Sequence, residues 1–371
     1  MKKGFKKRCD TAHNSCRQLD INKPLKSERY QAISCRAKKA LALLTSVLLI
    51  GLTACNGPSG ESKSEEKELK KITFCLDWTP NTNHTGFYVA KALGYYEDAG
   101  LDVEIVQPPE DGATAMCASG QAQFAINAQD TIASAFDSET PLEVTAVSAL
   151  IQHNTSGIIS KKGNGITSPK GLENKNYSTW ESPIELAMLK NIVEADGGDF
   201  EKVKLIPNNI TDEPAALEAN QTDAIWIFYG WGGITAKVRN FEFDYLDFKE
   251  LNSKFDYYTP ILIANNSFLS ENPDTAKAFI SATKKGYEYA VENPREAGDI
   301  LIKGDDTGSL EGSEELVYAS QEWLSDKYID DAEKWGYIDP QRWNGFYSWL
   351  YENKLTTLDL SGKGFSNDYL P

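Results

Sequence analysis

The sequence predicts an α/β protein with largely parallel sheets, and three observations carry that prediction. Strand-like runs alternate with helical runs from Ile72 to Ala264. The helical runs are closed by glycines or opened by Asn-Pro pairs. The 371 residues are 41% hydrophobic and 25% charged, a globular composition with room for two domains.

The elements follow in order. Ile72–Leu76 reads as a strand, Thr85–Leu93 as a helix stopped by Gly94, and Asp102–Val106 as a second strand. A short helix at Gly112–Ser119, a strand at Gln123–Asn127 and a helix at Asp130–Ser138 come next. Strands at Glu143–Ala149, Gly157–Ser160 and Asn176–Thr179 lead to a helix at Pro183–Ala195 that ends in Gly197-Gly198. A strand at Lys202–Pro207, a helix at Glu213–Asn220 and strands at Asp223–Phe228 and Pro260–Ala264 complete the alternation. Asn272-Pro273 opens a helix whose stripe is Ala276, Phe279, Ile280, Thr283, Tyr287 and Ala290. Asn293-Pro294 opens another, with Glu296 spaced for a capping box.

Charge divides the chain. Residues 1–54 carry 12 basic and 3 acidic side chains, whereas Cys55 onward carries 26 and 51. A body this acidic repels phosphate backbones, so nucleic acid is not expected as a partner. The longest apolar run, Ala40–Leu52, has 13 residues where a membrane-crossing helix needs about 20. Preceded by Arg36, Lys38 and Lys39 and followed by Leu52-Thr53-Ala54-Cys55, it has the layout of a secretory signal peptide. Its last four residues resemble the bacterial lipobox, which implies a signal over 1–54 and lipidation of Cys55. A start site placed too far upstream accounts for the residues before Arg36. Asn56 to Lys70 is polar and aperiodic, a tether over 55–70, and the folded part is expected from Lys71. Cys75 and Cys117, the two cysteines that follow Cys55, read as small core residues.

In open α/β sheets ligands sit beyond the carboxyl ends of strands. Here those ends deliver Asp77-Trp78, Asn127, Trp180-Glu181 and Tyr229-Gly230-Trp231. Aromatic faces beside hydrogen-bonding groups suit a flat polar ring. Trp78, Tyr229 and Trp231 are expected to supply stacking surface, and Asp77, Asn81, His84, Asn127 and Glu181 polar contacts. Trp180 and Trp226 join the candidates, although Trp226 alternates with isoleucines on a strand and equally suits packing. Asn81 serves as helix cap or ligand contact, and His84 as cap or cleft residue. Glu185 is expected on a solvated helix face and His153 in a structural role. Between Ile72 and Ser160 the only Lys or Arg is Lys91, and none occurs from Pro207 to Ala236. Anion sites often add a cationic partner, so a neutral or weakly basic heteroaromatic fits better. No Walker A loop, G-x-S-x-G, H-E-x-x-H or C-x-x-C occurs, and no metal, cofactor or catalytic residue is expected.

Leu76–Ala90 (LDWTPNTNHTGFYVA), Gly94-Tyr95-Tyr96 and Gly100–Ile105 resemble the opening of the NMT1/THI5-like family. Trp180–Pro183 (WESP) and Asp223–Trp231 (DAIWIFYGW) resemble its later motifs. The resemblance implies a type II periplasmic-binding-protein fold, with one lobe at 71–157 plus 258–371 and the other at 158–257. It further implies a monomer that closes on a thiamine pyrimidine precursor, formylaminopyrimidine or hydroxymethylpyrimidine, and feeds an ABC permease from the extracytoplasmic face of the membrane. Receptors for an alkanesulfonate, nitrate or a riboflavin-like compound remain alternatives. The family also contains a fungal pyrimidine synthase that needs iron, a pyridoxal-phosphate lysine, a histidine and a cysteine-rich segment. Asn127 stands near the place of that lysine, no histidine falls in Ala128–Phe136, and Asp256–Ile263 has no cysteine.

Overall fold

A computed structural model describes residues 68–208 and 210–371; the signal segment, Cys55 and most of the tether lie outside the described residues. Among the described residues ten strands form two five-stranded sheets. The first has the order β2-β1-β3-β10-β4, from β1 (Lys70–Cys75), β2 (Leu101–Val106), β3 (Phe124–Asn127), β4 (Val144–Ala149) and β10 (Ile261–Asn265). The second has the order β7-β6-β8-β5-β9, from β5 (Ser156–Lys161), β6 (Asn176–Thr179), β7 (Lys204–Pro207), β8 (Ala224–Phe228) and β9 (Phe243–Asp247). Strand β1 starts at Lys70, two residues earlier than expected.

The sheets are mixed rather than largely parallel. β1, β2 and β3 run parallel, as do β6, β7 and β8, but β10 and β5 run against both of their neighbours. The cause is topological. Residues 150–155 carry the chain into the second sheet and residues 256–260 carry it back, so each arriving strand starts at the edge where its neighbours finish. Ser156 opens β5 opposite Phe228, and Ile261 opens β10 opposite Asn127.

The two crossings lie side by side. The Asn154 amide donates to Asp256 Oδ1 at 3.0 Å and its side chain donates to the Phe255 carbonyl at 2.7 Å. His153 places Nδ1 2.7 Å from Asp256 and Nε2 3.0 Å from Asp331, so both ring nitrogens face carboxylates, and Arg342 Nε sits 3.5 Å from Asp256. The hydrogen bond to Asp256 leads in raising the His153 pKa above its ordinary value.

Phe74, Phe87, Phe124, Tyr96 and Phe279 stack beneath the first sheet, with ring centroids 4.0 Å apart for Phe74–Phe87 and 4.1 Å for Phe124–Phe279. Phe279 comes from the helix Pro273–Glu292, whose expected stripe is buried throughout. That helix crosses the helix Thr85–Ala92 where glycines meet: a Cβ on Gly286 would stand 1.9 Å from the Gly86 carbonyl. The Asn293–Glu296 capping box does not form, because Glu296 accepts from the Tyr289 hydroxyl and the Asn293 amide donates to the Tyr289 carbonyl. Strand β9 and the helices Glu314–Ser325 and Pro340–Glu352 add to the elements expected from sequence.

Gly286→Ala should lower unfolding free energy by about 3 kcal/mol, measured by urea denaturation, since neither backbone can withdraw. A histidine with a raised folded pKa contributes stability that is complete below its unfolded pKa, near 6.5, and lost as pH rises through the folded value. The stability gap between wild type and His153→Gln should therefore be widest below about pH 6.5 and shrink above it, read from melting temperatures across pH.

Candidate functional site

The carboxyl ends of β1, β2 and β3 share one edge, since Cys75 pairs with both Val106 and Ala125. Asp77 and Trp78 leave that edge and the chain turns into a 3-10 segment at Thr82–His84. Asn81 opens that turn: its Oδ1 accepts from the Asn83 amide at 2.9 Å and its Nδ2 donates to the Thr79 carbonyl at 3.0 Å. The Asn81 backbone N–H in turn donates to His84 Nδ1 at 3.2 Å. A nitrogen that accepts carries no proton, so the imidazole proton sits on Nε2, 2.8 Å from Asp77 Oδ1. His84 is fully buried. It and Asn81 thus build the loop that orients Asp77, and Trp78 is left 65% exposed beside it.

Asp77 lines a cavity of about 570 Å³ with Thr114, Asn127, Thr131 and Leu142. Asp111 adds a second carboxylate, and among the described residues no Lys or Arg lines it. Asn127 accepts from the Ala128 amide at 2.7 Å and donates to the Thr114 hydroxyl, which ties the end of β3 to the helix Ala113–Ala118.

The second sheet presents its own edge. Trp180 is 47% exposed, and Glu181 stands exposed with φ +60°. Trp226 lies beneath Trp180, ring centroids 5.9 Å apart, and rests on Phe248 at 4.2 Å. It is a buried support for Trp180 rather than a surface of its own. Phe228, two residues beyond Trp226 on the same strand face, is exposed; strand parity was the signal that could have singled it out.

Glu185 corrects an expectation. It is 3% exposed rather than solvated, because the third residue of a helix can reach back to donors at the helix start. It accepts from the Tyr177 hydroxyl at 3.1 Å, the Thr179 hydroxyl at 2.9 Å and the Trp180 amide at 3.0 Å. Burial pushes its pKa up.

Two expected residues fall elsewhere. Tyr229 opens a π-turn over Tyr229–Gly233 and points into a separate cavity of about 590 Å³ that contains His153, Trp323 and Lys327. There it packs edge-on against Tyr245 at 4.9 Å, with Lys237 Nζ 5.1 Å from its ring centre. Trp231 is half-buried against the core of the first sheet. The turn that carries both is bolted to the Asp77 loop by Ser320, whose hydroxyl meets the Thr82 hydroxyl at 2.6 Å and donates to the Gly230 carbonyl. Cys75 and Cys117 are free and buried, and burial pushes their thiols up to about 11 and about 12. Both stay protonated and unreactive at neutral pH. Among the described residues no cluster of three His, Cys, Asp or Glu could hold a metal.

Two mixed sheets joined by paired crossings, with ring-bearing loops at their facing strand ends, are the periplasmic-binding-protein fold. The aliphatic sulphonate binding protein SsuA from Escherichia coli superposes with a TM-score of 0.59 at 14% identity, over 78% of this chain and 89% of that one. The chain belongs to the NMT1/THI5-like family, whose model matches residues 81–297. It is 28% identical to the formylaminopyrimidine-binding protein of Halalkalibacterium halodurans, over 84% of this chain and 92% of that protein. It is 27% identical to the 4-amino-5-hydroxymethyl-2-methylpyrimidine phosphate synthase THI11 of Saccharomyces cerevisiae, over 61% of this chain and 69% of that protein.

Proposed function

We propose that this chain is a non-enzymatic, extracytoplasmic solute-binding lipoprotein that captures a thiamine pyrimidine precursor, formylaminopyrimidine or hydroxymethylpyrimidine, and delivers it to an ABC permease. The observation that carries this reading is the cation-free cavity at the edge of the first sheet, with a fixed carboxylate in its wall and an exposed indole beside it. His84 holds one oxygen of Asp77, and the other is left to accept from an exocyclic amine or share a proton with a ring nitrogen. Sulfonate, nitrate or phosphate would meet carboxylates there instead of a cation. Trp78 from one sheet and Trp180 with Phe228 from the other supply flat surfaces for the ring.

Capture works by closure of two lobes, 71–157 plus 258–371 and 158–257, about the paired crossings. Binding is driven by removing the indole faces and the ligand ring from water together, while the carboxylates fix the ring's orientation. The lipid on Cys55 tethers a monomer beside its permease. The synthase reading is disfavoured at Asn127, near the place of the cofactor lysine, whose side chain is spent on Thr114 and Ala128. The 28% identity over nearly the whole of a named binding protein also favours capture over synthesis.

Titration calorimetry with formylaminopyrimidine should give saturable heat and an alkanesulfonate none; the reverse pattern would overturn the ligand class. Trp78→Ala should weaken pyrimidine binding by about 1–3 kcal/mol in the same titration, the loss typical of a buried stacking aromatic. Cys55→Ala should move the protein from the membrane fraction to the soluble fraction of expressing bacteria, read by immunoblot.

A further inference from the structure

The structure assigns Glu185 as a positioning residue of the site: through Thr179 and two consecutive backbone amides it fixes where the Trp180 indole and the Glu181 carboxylate stand. The inference rests on the proposed binding function for its ligand, but its geometry is independent of which solute binds.

Glu185 is a carboxylate taken almost wholly out of water, and each of its three partners is a neutral donor. Further compensation comes from the Ser182 amide and the amino end of its own helix, Pro183–Ala195. A buried carboxylate without a cation is a poor way to stabilise a fold, since an apolar side chain of similar size fills the same space without desolvating a charge. What the carboxylate does supply is direction. Tyr177 and Thr179 are alternate residues of β6 and offer their hydroxyls on the same face, while the Trp180 amide is the first donor beyond the strand. One carboxylate therefore marks the point where β6 stops pairing and the chain turns out.

The restraint then passes one residue further. Thr179 Oγ1 donates to Glu185 and accepts from the Glu181 amide at 2.8 Å. Glu181 has φ +60°, a left-handed conformation that non-glycine residues avoid. Such a conformation persists where surrounding bonds over-determine it. Here they do, because the amides on both sides of the Trp180 α-carbon are held by a single relay. The result is an indole leaning on Trp226 with nearly half its surface open, and a carboxylate beyond it.

The test uses Glu185→Gln, which keeps the volume but turns an N–H toward groups that themselves donate. In the unliganded protein, iodide quenching of the Trp180 emission, obtained as the difference from a matched Trp180→Phe partner, should increase. The dissociation constant for formylaminopyrimidine should rise about tenfold, with melting temperature lowered by only a few degrees. Thr179→Val breaks the same relay from the other side and should give the same two changes, and the double variant should lose no more than either single one. Unchanged quenching in both variants, additive losses, or a fall in melting temperature with quenching and affinity intact would overturn the assignment. If the wild type gives no heat with formylaminopyrimidine, the ligand reading fails alone and the quenching comparison still decides the role of Glu185.

Discussion

The arrangement depends on a constraint of chain direction. A chain that leaves one sheet after four strands and later returns to it must enter each sheet from the edge it has just reached. β5 and β10 therefore begin where their neighbours end. This reversal brings the carboxyl ends of β1, β2 and β3 and those of β6 and β8 to the region of the crossings. Loops at those ends, and only those, can serve one ligand from both sides. The cross-bonds from Asn154 and His153 to the second crossing make the two connections a single element.

Around this frame the electrostatics follow one scheme. The pocket wall at the first sheet carries carboxylates and amides but no cation, and its principal carboxylate is oriented by a neutral imidazole whose tautomer is set by a backbone amide. The second sheet repeats the idea with Glu185, again held by neutral donors. Both loops thus use dipoles in place of ion pairs to hold a negative group still. The other cavity does hold cations, Lys249 and Lys327, and Lys249 is already paired with Asp247.

Most of the alternation was legible because apolar periodicity is a local signal: β6 and the helix Pro183–Ala195 fall where the sequence puts them. Strand direction was not legible, since it depends on the crossings. Strand β9 alternates aromatic with acidic residues, Phe243, Asp244, Tyr245, as an edge strand does, but its charges conceal it. At the site, Asp77, Trp78, Asn127, Trp180 and Glu181 stand at strand ends as read. Tyr229 and Trp231 do not join them, because a π-turn after Phe228 rotates the chain, and no short-range pattern announces such a turn. His84 shows the limit of residue typing, since its chemistry is spent on Asp77 and the backbone, and a sequence cannot show which side of an imidazole is occupied.

Ser320 carries a consequence for how the protein is divided. The family match stops at residue 297, yet the hydroxyl that joins the Thr82 turn to the Gly230 turn comes from the helix Glu314–Ser325, outside that span. The shared region is therefore not a self-sufficient module in this chain. A fragment cut at the family boundaries would keep Trp180 and Phe228 but lose Asp77, Trp78 and the helix whose hydroxyl joins the two turns.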